Sequence, residues 1–119
     1  MREIKFRAWD GELKEMLDWD KFFNLDIAQV FESKGSWGVY PMQYTGLKDK
    51  NGVEIYEGDI VETVYNGEVF AGVVVYDLSE VDFKVTDGKE KYGRNFQYLA
   101  GNDENEVLGN IYENPEFAK

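Results

Sequence analysis

The sequence predicts a mainly β fold, a small barrel built from hairpins with one short helix. Three observations carry that prediction. Asp-Gly or Asn-Gly pairs punctuate the chain at 10–11, 51–52, 66–67 and 87–88, and such pairs suit tight hairpin turns because they tolerate positive φ. The segments around most of these pairs are β-branched and aromatic, several in strict alternation. A single segment departs from that pattern and spaces its apolar residues as a helix does.

Taken in order, Ile4, Phe6 and Ala8 alternate with Lys5, Arg7 and Trp9 to give a first strand that runs into Asp10-Gly11, while Leu13 and Met16 beyond it are less regular. The stretch DWDKFFNLDIAQVFESKG places Phe23, Ile27, Val30 and Phe31 on one helical face. Asp18 or Asp20 stands where a cap belongs and Gly35 where a helix ends, so a helix is expected over about 20–34. Met42 and Tyr44 alternate around Gln43 and lead to the charged tip Lys48-Asp49-Lys50-Asn51-Gly52, from which Glu54-Ile55-Tyr56 returns. Glu57-Gly58-Asp59 makes a further turn into Ile60–Tyr65. After Asn66-Gly67, the run Val69–Tyr76 is apolar throughout, which fits a strand covered on both faces or one bent at Gly72. Val81, Phe83 and Val85 alternate with Asp82, Lys84 and Thr86; Phe96 with Tyr98, then Val107-Leu108 with Ile111-Tyr112, supply two further short strands. The tail NPEFAK reads as polar and frayed past Pro115. EIYEGDIVETVYNGEVFAGVVVYD leads through a Gly-Asp pair into a β-branched strand, turns tightly and returns as a long strand, the pattern of an SH3-type barrel. The barrel core is placed at about 42–112 of one domain spanning 1–119.

The composition narrows the chemistry. With 119 residues, 43% of them hydrophobic and 16% aromatic, the chain has material for one core and does not read as disordered. The 24 acidic residues outnumber 13 basic ones, for a net charge of -11. Such a charge keeps a protein soluble, repels phosphate backbones at long range and speeds encounter with basic partners. The absence of cysteine excludes disulfides, thiolate nucleophiles and cysteine-ligated metal. The absence of histidine removes the commonest general base and most transition-metal sites. Neither a catalytic role nor a cofactor is therefore expected. MREIKFRAWD has no apolar run behind its charges and no 18-residue apolar stretch follows, so the expectation is a cytoplasmic protein that does not enter a membrane.

The stretch MQYTGLKDKNGVEIYEGDIVE, residues 42–62, is the natural place to look for a site. Glycines 46, 52 and 58 are spaced by six with no Gly-Lys-Ser or Gly-Lys-Thr behind them, which is not a phosphate cradle. Asp49, Asn51, Glu54, Glu57 and Asp59 are oxygen ligands without EF-hand spacing, so no metal site is assigned. If the stretch recognises a partner, Lys48, Asp49, Lys50, Tyr56, Glu57 and Asp59 are the contact residues; turn geometry accounts for the same side chains. A second acidic run, NDENEV at 102–107, reads as a solvated loop. Lys84, Lys89, Lys91 and Arg94 are the one candidate basic patch for nucleic acid, beside aromatics on which bases stack.

MQYTGLKDKNGVEIYEGDIV also resembles the signature of the YopX family of phage and prophage proteins, and REIKFRAWD and GNIYENPE match the same family at the two ends, in order. The resemblance implies a phage or prophage origin and an SH3-type core. It implies no defined activity and no defined functional residues, and oligomerisation has been suggested for members. The function expected is a non-enzymatic protein-interaction or assembly module that binds a protein partner or itself. The alternatives are a nucleic-acid-binding small barrel, disfavoured by net charge, or an acidic DNA mimic that occupies a host protein.

Overall fold

The computed structural model of the chain describes residues 5–23, 38–65, 67–78, 81–86, 96–100 and 104–118. These residues are mainly β, as expected, with one short helix and a terminal 3-10 turn. The chain divides into two units, Met1–Tyr44 and Thr45–Lys119.

In the first unit, β1 (Phe6–Asp10) pairs antiparallel with β2 (Glu15–Leu17) and with residues 39–43 of β3 (Val39–Lys48), a strand whose last four residues belong to the second unit, setting Ala8 opposite both Leu17 and Pro41. The β1–β2 turn starts at Asp10 as the sequence predicts, but it is not a two-residue turn. The Asp10 carboxylate accepts the amides of Glu12 at 3.0 Å and Leu13 at 3.1 Å, the Lys14 amide bonds the Asp10 carbonyl at 2.8 Å, and Lys14 takes the positive φ of 58°. An aspartate that captures two downstream amides favours the longer loop. The helix α1 (Trp19–Phe23) opens with the Lys21 amide on the Asp18 carboxylate at 3.0 Å, so of the two caps the sequence offers, Asp18 and Asp20, it uses Asp18. The remainder of the helix expected over 20–34 lies outside the described residues. Ala8 and Leu17 are buried against Phe6, Trp19 and Val39, and the Phe6 and Trp19 rings lie 6.1 Å apart.

The second unit holds β4 (Glu54–Tyr56), β5 (Asp59–Tyr65), β6 (Glu68–Asp77), β7 (Asp82–Thr86), β8 (Phe96–Tyr98) and β9 (Glu106–Asn110). Two antiparallel sheets result, ordered β2-β1-β3-β4 and β8-β7-β6-β5-β9. In the five-stranded sheet Val61 faces Gly72, Val74 faces Val85 and Tyr76 faces Phe83. That register turns one side chain in two toward a core of Ile55, Val61, Val74, Phe83, Val85 and Leu99, flanked by Leu47, Phe70, Tyr76 and Val107. Tyr65 pairs with Glu68 and Gly67 takes a φ of 79°, while Asn66, the other half of the expected turn, lies outside the described residues. The Asp87-Gly88 pair lies outside the described residues.

Three local expectations change. The start of β6 is covered on one face only, with Val69 66% exposed and Ala71 exposed while Gly72 is buried. Val81 is not a strand residue: Asp77 pairs with Asp82, and Val81, just before that pair, is exposed at φ 55°. The C-terminal segment forms a 3-10 helix at Pro115–Ala118 in place of the expected fraying. Asn110 sets it up: its side-chain oxygen accepts the amides of Tyr112 at 3.0 Å and Glu113 at 2.9 Å, and its amide nitrogen donates to the Glu113 carboxylate at 2.8 Å. The neighbouring residue is glycine because a Cβ at 109 would run into the Asn114 carboxamide.

Candidate functional site

The Lys48–Gly52 tip closes as a three-residue hairpin loop, Lys50–Gly52, between Asp49 and Val53. The Gly52 amide bonds the Asp49 carbonyl at 3.0 Å, the Asp49 amide bonds the Val53 carbonyl at 2.8 Å, and Gly52 sits at φ 82°. This is a type I turn followed by a left-handed residue, not the type I′ turn that Asn-Gly suggests. The next turn places Gly58 at φ 87° with its amide on the Val74 carbonyl at 2.9 Å and its carbonyl accepting the Ile111 amide at 3.0 Å. Gly58 therefore ties its turn to the interior of β6 and to the residue that follows β9.

The six residues nominated from sequence separate into two groups. Asp49, Tyr56 and Asp59 are buried. The Asp49 carboxylate accepts the amides of Asn51 at 2.8 Å, Val53 at 2.9 Å and Val107 at 2.9 Å, so it closes its own loop and holds the start of β9. Burial pushes its pKa up, but those three amides and the Lys50 ammonium outweigh burial, and the carboxyl stays below its ordinary value. Asp59 accepts the Tyr56 amide at 2.8 Å, and the Tyr56 hydroxyl donates to Glu54 at 3.3 Å. Lys48 and Lys50 are exposed and Glu57 is half-buried.

Lys50 is the nominated residue around which other charged groups gather. Its amide bonds the Asn105 carbonyl at 2.9 Å, and its ammonium lies 3.1 Å from the Glu106 carboxylate. The hydrogen bond to Glu106, with the added field of Glu104 and Glu62, raises its pKa above the ordinary lysine value. Glu62 and Glu106 are direct cross-strand partners, and Glu62 faces Ala71 on its other side. Two residues along the same face, Val64 pairs with Val69. A row of carboxylates thus runs beside a row of small apolar side chains. Sequence reading did not assemble this surface because it needs the β5–β9 pairing, which joins segments more than forty residues apart.

Other expectations shift as well. Asn105, inside the run read as a solvated loop, is buried and donates to the Leu99 carbonyl at 3.0 Å. Lys84, expected in a basic patch, is buried with its ammonium 2.7 Å from Asp77; Lys89, Lys91 and Arg94 lie outside the described residues. Among the described residues no three acidic side chains converge as ligands for a metal ion, and no helix is long and apolar enough to cross a membrane.

Comparison with known proteins adds the following. A family model described as YopX protein matches residues 5–119. The crystal structure of protein EF1440 from Enterococcus faecalis is 26% identical with a TM-score of 0.58, covering 100% of both chains. The crystal structure of protein yopX from Bacillus subtilis shares the fold at 20% identity and a TM-score of 0.55, again over 100% of both chains. No curated protein matches.

Proposed function

The chain belongs to the YopX family, and from that membership we propose that it is a phage- or prophage-encoded module for protein interaction or assembly, working in the host cytoplasm without chemistry of its own. On this reading the segment from about 42 to 112 is an SH3-type barrel that holds contact surfaces rigid. The observation that supports it is the exposed apolar row of β5 and β6, Val64 at 37% and Val69 at 66%, on a chain of net charge -11. Apolar pairs on an open sheet face contribute little to a monomer in water and much to an association that covers them. The nominated contact residues that remain accessible, Lys48 and Lys50, lie on the Lys48–Gly52 loop of the same unit.

The test is light scattering on the purified chain, followed by affinity capture from infected cells with mass spectrometry. A stable oligomer or a reproducibly captured protein supports the reading, and a monomer that captures nothing refutes it. Nucleic-acid binding is weaker as a second reading, because Lys84, one member of its expected basic track, is engaged by Asp77.

A further inference from the structure

Two rows of side chains on the outer face of the five-stranded sheet break local rules in the same place. In the first, Glu106 stands directly opposite Glu62, and like charges in that position destabilise a sheet. Glu104, two residues before Glu106, adds its field to the same ammonium, Lys50. Lys50 pairs with Glu106 at 3.1 Å and lies in the field of Glu62 as well. In the second, the paired Val64 and Val69 lie open with Ala71 beside them. Folding gains little from either row, whereas a partner bearing cations next to apolar groups satisfies both.

We propose that this face, Glu62 and Glu106 alongside Val64, Val69 and Ala71, docks a protein segment in which lysine or arginine alternates with apolar residues. The inference rests on the interaction reading above and names the chemistry of the partner. Charge complementarity selects this occupant. A second copy, meeting the face through a two-fold axis, brings the same glutamates against themselves, and a nucleic acid adds phosphates to carboxylates. Rows two residues apart along a strand are about 7 Å apart, a spacing that one amphipathic segment spans with adjacent apolar and basic side chains. Lys50 acts as an internal competitor for the carboxylates that the partner's cations would engage.

The probe is a synthetic amphipathic leucine–lysine peptide, with a lysine–serine peptide of equal length and charge as control, both followed by fluorescence anisotropy. The wild-type chain is expected to prefer the leucine–lysine peptide. Val69→Ser should weaken that binding about tenfold by removing apolar area from the contact, while leaving the control unchanged. Glu62→Gln should weaken both peptides and flatten their salt dependence. Lys50→Met should tighten the leucine–lysine peptide, because the internal cation is gone; Lys50→Gln serves if the first variant melts early. Equal binding of the two peptides, or indifference to Val69→Ser, overturns the proposal. So does a dimer that Val69→Ser dissolves, which makes the occupant a second copy. A natural partner captured equally by wild type and Val69→Ser sinks this surface and leaves the interaction reading standing.

Discussion

Asp49 shows how a residue that looks like recognition chemistry is committed to the fold. Its carboxylate accepts three backbone amides, one of them from Val107 on another strand. Asp49→Asn replaces an acceptor with a donor and leaves at least one of those amides unmatched, an expected loss of about 1–3 kcal/mol in chemical unfolding. Because the folded carboxyl sits below its ordinary value of 3.8, its contribution is complete above that pH and drains away as pH falls through the folded value. The Asn variant should therefore lose less stability than wild type when both are taken below about pH 4. Gly58 is committed in a different way. At φ 87° a β-branched side chain is strained, so Gly58→Val should cost about 1–3 kcal/mol. An unshifted melting temperature would contradict the turn geometry.

At the scale of elements, turns decide the outcome more than strands do. The β9 exit depends on Asn110, whose side chain makes three hydrogen bonds within four residues. Asn110→Ala should cost about 1–2 kcal/mol and speed amide exchange at Tyr112 and Glu113 before the rest of the chain responds. Strand content was legible in the sequence because alternation such as Phe83 and Val85 and β-branched runs such as Ile60–Val64 are local signals. A cap at Asp18 or Asp20 was legible for the same reason, and the Lys21 amide selects Asp18. Turn type was not: Asp10-Gly11 and Asn51-Gly52 read as two-residue turns, yet the Asp10 and Asp49 side chains capture nearby amides and stabilise longer loops. Val81 was misread because alternation continues through a loop as readily as through a strand. The acidic and apolar rows were out of reach because Glu62 and Glu106 become neighbours only through strand pairing.

For the whole molecule, net charge is the governing quantity. At -11 the folded chain repels itself, and salt relieves that repulsion. Its melting temperature should rise as sodium chloride goes from about 0.01 to about 0.5 M, where the screening length shrinks from roughly 30 Å to a few ångströms. A flat or falling response would mean that attractive pairs such as Lys50–Glu106 outweigh the repulsion. β9 forms one border of its sheet, and the Val107 amide, which points out of that border, is occupied by Asp49. A single carboxylate thus stands where an intruding chain would begin to zip on. Acid strong enough to neutralise it also protonates most other carboxylates and leaves the 13 basic residues in charge, so souring the solution would loosen that stopper while mutual repulsion, now between cations, still holds neighbouring chains off the bare border.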